Sequence, residues 1–192
     1  MTRPAPLPSA DADDDAVQDA VSSFPSGVTV VTAVADGEPY GMTVSAFTAV
    51  SEAPPLVLVS VGAWGRGAEL LRSGGGFCVN VLGATQAPLA RHFASRRRPH
   101  GEAMFDGVPH ATGVTGAPVL LGTVAHLECE LHAVLDGGDH ALVLGHVLRA
   151  VSAPHRRPLV VHRRELTSVA DVSGARRPPL TVVRPDGRPR GG

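Results

Sequence analysis

From residue 27 to residue 162 the chain is a succession of short runs rich in β-branched residues, each cut by glycine, proline or aspartate. That rhythm restricts the fold more than any other feature, because each run has the length and chemistry of a strand and the breaks between them are turns. Residues 27–35 (GVTVVTAVA) read as a strand ending in the turn Asp36-Gly37-Glu38-Pro39, and residues 41–51 return as the second arm of a hairpin. Pro54-Pro55 breaks the chain before a third strand at 56–61 (LVLVSV), apolar on both faces and so expected to be central. A fourth strand is expected at 77–82 (FCVNVL). Two long strands, 123–135 and 141–151, are joined by Asp136-Gly137-Gly138-Asp139-His140, and a short one closes the series at 158–162.

Helical patterns are few and short. Residues 13–23 carry acidic groups at the start of a helix, with Val17, Ala20, Val21 and Phe24 at helical spacing, and Pro25-Ser26-Gly27 stops it. Short helices are also expected at 68–72, after a glycine-rich turn, and at 85–94, where Leu89 and Phe93 lie four apart on one face. Residues 95–102 (SRRRPHGE) form a polar basic loop. Many strands, short turns and two or three small helices indicate an antiparallel barrel. One domain over residues 14–168 suits a chain of 192 residues, flanked by a disordered lead-in at 1–13 and a disordered Arg/Pro/Gly-rich tail at 169–192.

Composition excludes several functions. A net charge of −1 argues against a large nucleic-acid footprint, and no stretch is long and apolar enough to cross a membrane. The two cysteines, Cys78 and Cys129, lie in apolar strand-like runs, as expected of buried reduced thiols in a cytoplasmic protein. Neither has a Cys or His nearby at metal-ligand spacing, so no metal site is expected. The chain holds no recognisable Ser/His/Asp or Cys/His nucleophile system and no paired carboxylates. Any enzymatic chemistry must therefore come from a cofactor.

The residues that could hold one fall in three places. Thr43, Ser45 and Ala46 put small and hydroxyl side chains where a strand built for packing would carry Val or Leu. Such a strand lets a flat ligand lie against the backbone, although Thr and Ser also suit the wet face of an ordinary strand. The turn after the third strand opens a helix, and its amides with Arg66 offer a seat for phosphate. The Asp136 to His140 connection places His140 at a strand start.

Taken together, FPSGVTVVTA (24–33), YGMTVSAFTAVSEAPPLVLVSV (40–61), FCVNVL (77–82), LARHFA (89–94), FDGV (105–108), GAPVL (116–120) and LECELHAVLDGGDHALVLGHV (127–147) resemble the flavin reductase family. The resemblance runs over about residues 20–165, and within the family it is to the small NAD(P)H-dependent flavin reductase component of two-component monooxygenases. It implies a six-stranded antiparallel split β-barrel with Greek-key connections, of the FMN-binding type, working as a homodimer with flavin near the subunit interface. On that resemblance Met42, Thr43, Val44, Ser45 and Ala46 lie against the isoalloxazine ring. Ser60, Val61, Gly62, Arg66 and Gly67 hold the phosphate, and Phe77, Cys78 and Asn80 lie near the ribityl chain. Ala94 and Ser95 close over the phosphate, and His140 attends the nicotinamide.

The family turn after the third strand often carries Ser and Thr hydroxyls, whereas here it is Gly62-Ala63-Trp64-Gly65-Arg66-Gly67-Ala68, which leaves Arg66, the helix-start amides and Ser60 to bind phosphate. Trp64 suits either a cover over the flavin or an interface contact. The implied activity is hydride transfer from NADH or NADPH to FMN or FAD, with reduced flavin passed to a partner flavin-dependent monooxygenase. The alternative is a flavin-binding redox carrier or sensor without nicotinamide turnover. The His-bearing loop favours the enzyme, because a carrier has no need of a nicotinamide contact.

Overall fold

The computed structural model describes residues 13–73 and 75–169. Apart from Asp13 and Val169, the expected lead-in and tail lie outside the described residues. Helix α1 (Asp14–Ser22) begins at Asp13, whose carboxylate accepts from the Asp15 amide. Then come β1 (Ser26–Gly27), β2 (Thr29–Ala35), β3 (Glu38–Val44), β4 (Phe47–Glu52) and β5 (Pro55–Gly62). Helix α2 (Arg66–Ser73) leads to β6 (Gly76–Val81), and a 3-10 turn (Ala84–Gln86) leads into α3 (Ala87–Ala94). A second 3-10 turn (Gly101–Phe105) precedes the short β7 (His110–Thr112) and β8 (Pro118–Leu120). The long β9 (Ala125–Gly137) and β10 (His140–Ser152) follow, then β11 (Leu159–His162) and β12 (Glu165–Ser168).

The protein is mainly β. Seven strands form one antiparallel sheet in the order β3-β2-β6-β9-β10-β5-β4, beside a small β1-β11-β12 sheet and a β7-β8 ribbon. The β2–β3 hairpin turns on Asp36 and Gly37, both with positive φ (55° and 79°), the two-residue turn whose twist matches its strands. Bulges between Leu144 and Gly145 and between Val147 and Arg149 bend the long β9–β10 pair.

The stretch 41–51, expected as one strand, is two. It breaks at Ser45-Ala46, and the strands on either side are the opposite edges of the seven-stranded sheet. The three steps from Val44 to Phe47 span no more than about 11 Å, so the sheet must curl until its edges come close at this corner. The corner is pinned by the Ser60 amide donating to the Ala46 carbonyl at 2.9 Å and the Phe47 amide donating to Ser45 at 3.0 Å. The third expected strand, β5, is not central. It lies second from the edge, with Val57, Val59 and Val61 buried and Leu56, Leu58 and Ser60 partly open.

Strand β2 is buried on both faces and divides two cores. Val31 and Ala33 pack with Val59, Phe77, Val79 and Val143 inside the curl. Val28 and Val30 face Leu82, Phe93, Met104, Phe105 and Leu120 beneath α3. Polar groups at this seam are fully paired: the Thr29 hydroxyl donates to the Val44 carbonyl at 2.6 Å, and that of Thr32 donates to Pro118. Asn80, wholly buried, donates to the Val30 carbonyl and the Thr32 hydroxyl, each at 3.1 Å, and accepts from the Leu120 amide at 2.8 Å. It thereby ties β8 to β2 and β6. Both cysteines are free and buried, and burial pushes their thiols up, Cys129 to about 12, with the neighbouring Glu128 charge acting the same way.

Three elements had no clear sequence signal: β7, β8 and β12. The last follows a hairpin whose turn is Arg163-Arg164, both at positive φ (49° and 66°), where glycine or asparagine would be the usual sign. The apolar stripe of α1 is present, but Val17, Val21 and Phe24 are exposed in the single chain.

Asn80→Ala would take the side-chain acceptor from the buried Leu120 amide and one donor each from the Val30 carbonyl and the Thr32 hydroxyl. Urea unfolding should show a loss of about 3 kcal/mol, the scale for leaving such groups unpaired.

Candidate functional site

At the corner where β3 passes into β4 the curled sheet leaves a cleft of about 250 Å³. Met42, Thr43, Val44, Ser45 and Ala46 form one wall, Ser60, Val61 and Gly62 at the end of β5 form the other, and His140 stands at the mouth. Nine of the residues singled out in the sequence therefore line one cavity, and Ser60, Val61 and Gly62, expected at the phosphate with Arg66 and Gly67, stand instead with residues 42–46. Strand register brings them together: β10 pairs antiparallel with β5, with His140 opposite Gly62 and Leu142 opposite Ser60. The Ala63 amide donates to the Asp139 carbonyl at 2.9 Å, clamping the β9–β10 turn to the segment after β5.

The β3 wall offers main chain rather than side chains. The Gly41 amide points away from β2, at Met104 Sδ 3.2 Å away, and strand alternation turns the Thr43 amide the same way. Because β3 is an edge strand, no further strand among the described residues pairs with that side. The Thr43 hydroxyl is already used, donating to the Ala90 carbonyl of α3 at 2.7 Å. Ser45 and Ala46 are exposed and small, so a planar ligand can approach this edge. Gly62 keeps the far wall open, since a Cβ there would meet nothing within 4 Å.

His140 is half-exposed, and its Nδ1 lies 2.6 Å from Asp139 Oδ1. The hydrogen bond to His140, and then the charge of that ring, hold the Asp139 carboxyl below the usual carboxylate range.

Arg66, Gly67, Ala94 and Ser95 form a second group at the other end of β3. Arg66 Nη2 pairs with Glu38 Oε2 at 2.9 Å on the surface. Gly67 is buried against Met42, and a Cβ there would collide with Met42 Sδ, so the glycine lets α2 begin directly on β3. Ala94 ends α3 and Ser95 caps it, and the Ser95 carbonyl accepts from Arg98 Nη1 at 2.7 Å. Arg98 also donates to the Tyr40 hydroxyl and lies 5.2 Å from that ring's centre. Arg98 was missed in the sequence. Its only signal was the basic run Arg96-Arg97-Arg98, in which nothing distinguished the inward-facing member.

Phe77, Cys78 and Asn80 do not reach the cleft. Strand β6 is flanked by β2 and β9, so all three are completely buried and support the walls from behind. Trp64 follows the cleft's edge and is 88% exposed. Among the described residues, no group of three or more His, Cys, Asp or Glu side chains could hold a metal ion. None of their helices is long and apolar enough to cross a membrane.

A larger apolar cleft of about 470 Å³ lies on the other side of the same corner. Ser45, Ala46, Phe47 and Leu58 meet Val21 and Phe24 of the α1 end there, with Arg163 and Arg164 at its rim. It shares Ser45 and Ala46 with the His140 cleft, and its lining is predominantly apolar.

Comparison with known proteins accords with this geometry. The chain is 47% identical over 138 residues to an NADH-dependent FAD reductase of Streptomyces globisporus, a match covering 71% of this chain and 75% of that one. It is 35% identical over 149 residues to HsaB, the reductase subunit of a flavin-dependent monooxygenase of Rhodococcus jostii, covering 78% and 74%. Among solved structures, the NADH:FAD oxidoreductase SgcE6 of Streptomyces globisporus, in complex with NAD and FAD fragments, matches with a TM-score of 0.78 at 39% identity, over 84% of this chain and 95% of that one. Residues 21–170 match the model of the flavin reductase like domain, and the chain belongs to that family.

Proposed function

We propose that the protein is an NADH-dependent flavin reductase that transfers hydride to FMN or FAD and supplies reduced flavin to a partner flavin-dependent monooxygenase. The observation that carries this reading is the meeting, in one cleft, of the unpaired β3 edge and His140. It is supported by a relative named as an NADH-dependent FAD reductase and another named as a monooxygenase reductase subunit.

The residues present fit a flavin. The β3 edge is free of side-chain bulk at Ser45 and Ala46, and its Thr43 amide can read the polar edge of a flat ring. Once bound, flavin supplies the ring that accepts hydride from the nicotinamide, a reaction that needs no side-chain nucleophile. The chain's own contribution is placement: residues 42–46 provide the bed, Ser60 and Gly62 the opposite wall, and His140 a contact for the nicotinamide. The Thr43 amide would stabilise negative charge gathering on the polar edge of a bound ring. At the other end of β3, Arg66, Gly67 and Ser95, joined by Arg98, form the phosphate end. The Arg66–Glu38 pair is exposed, so exchanging Glu38 for a phosphate costs little.

Finer features belong to the same proposal. The curled sheet is read as the family's six-stranded split barrel with Greek-key connections, its edges joined at Ser45-Ala46. A homodimer is proposed because Val17, Val21 and Phe24 lie exposed beside an open apolar cleft, and a second copy would cover them. Free buried thiols suit a cytoplasmic setting.

The direct measurement is loss of NADH absorbance with and without added FMN and FAD. The rate should rise with free flavin, whereas no turnover with either flavin and either nicotinamide, in protein that still binds FMN, would make it a carrier. His140→Ala should slow NADH-dependent reduction by about tenfold or more while leaving flavin affinity nearly unchanged, about 1.4 kcal/mol of lost nicotinamide contact. Gly62→Val projects its branch from the face of β5 that carries Ser60. It should leave the urea midpoint in place yet weaken flavin binding, as followed by fluorescence titration.

A further inference from the structure

Strand pairing leaves His140 with little to hold its ring. Its cross-strand partners are Gly62 on β5 and Gly137 on β9, and neither offers a side chain to pack against. What does reach the ring is the carboxylate of the preceding residue, with Asp139 Oδ1 2.6 Å from Nδ1. An ionised carboxylate only accepts, so Nδ1 must carry the hydrogen and donate it. In the neutral ring that leaves Nε2 with its lone pair, an acceptor.

Besides the His140 ring, the Asp139 carboxylate is drawn on by its own backbone amide, a contact within the residue that does not brace the turn. The turn is built by Gly138 at φ +84°, whose amide donates to Asp136 Oδ1 at 2.9 Å. The clamp to Ala63 uses the Asp139 carbonyl, which any residue would supply. The carboxylate can therefore be removed without dismantling the connection that carries His140.

We infer that Asp139 is a positioning residue: its carboxylate holds the His140 ring in one orientation and one tautomer, so that Nε2 accepts a hydrogen bond from the carboxamide N–H of the nicotinamide. The inference rests on the reading of the cleft as a flavin and nicotinamide site. It adds a chemical criterion, since the site would select reductants that carry an amide donor on the pyridine ring.

Asp139→Ala tests it in two ways. Nitrogen NMR of the His140 ring in mildly alkaline buffer should show the Nδ1–H tautomer in the natural protein and a mixture in the variant. In the reductase assay the KM for NADH should rise roughly threefold to tenfold, the scale of one oriented hydrogen bond. The KM for the reduced acetylpyridine analogue of NADH, which lacks the amide N–H, should not change, nor should flavin affinity. An unchanged tautomer, an unchanged KM for NADH, or equal changes with both reductants would overturn the inference. Failure of the natural protein to oxidise NADH would instead sink the reductase reading, and the ring spectrum would still decide the tautomer.

Discussion

The structure depends on one short connection. Ser45-Ala46 joins strands that form the two opposite edges of a seven-stranded sheet, and a two-residue link can do this only if the sheet curls until those edges lie close together. Curling wraps Val31, Val59, Phe77, Val79 and Val143 into a common interior. It also brings the edge of β3 up to the ends of β5 and β10, so the cleft is a consequence of the curl rather than a separate construction. Small residues at the corner serve both ends: they let the edges approach, and they leave a flat ligand room to do the same.

Polarity is distributed accordingly. The walls of the cleft contribute mainly backbone groups, which are rigid because the strands behind them are locked by Thr29, Thr32 and Asn80. Charged and titratable side chains stand apart from the β3 wall. Asp139 and His140 lie in the β9–β10 turn, and Arg66, Glu38 and Arg98 lie towards the start of β3. That separation suits a ligand with a neutral ring system and a charged tail, and it spares the centre the desolvation of a charged side chain.

Much of this was legible in the chain. Asp36-Gly37 between two β-branched runs can hardly be anything but a hairpin, and the Asp136 to His140 segment placed a histidine at a strand start. The nine residues lining the cleft were all named from pattern and resemblance. What the chain did not reveal shares one cause: local sequence states that a strand exists but not who its neighbours are. Phe77, Cys78 and Asn80 were expected beside the ribityl chain on the resemblance, and β6 takes a place between β2 and β9 in which all three are fully buried. Residues 41–51 looked continuous because Ser and Ala are permitted in strands, and only the sheet order reveals the break. Arg98 could not be told from Arg96 and Arg97, since facing inward depends on where Tyr40 lies.

By itself, then, the sequence determined where the longer strands run, where the β2–β3 and β9–β10 hairpins turn, and that no recognisable side-chain nucleophile system is on offer, because these follow from dihedral preference, alternation and residue inventory. Tertiary structure alone decided which strands are edges, that the edges come close at Ser45-Ala46, and that Gly62 and Gly137 flank His140 and leave Asp139 to hold it. The physical reason is that pairing and curling are long-range: a strand's unpaired hydrogen-bonding side, and so its capacity to bind anything, is defined only once every other strand has taken its place.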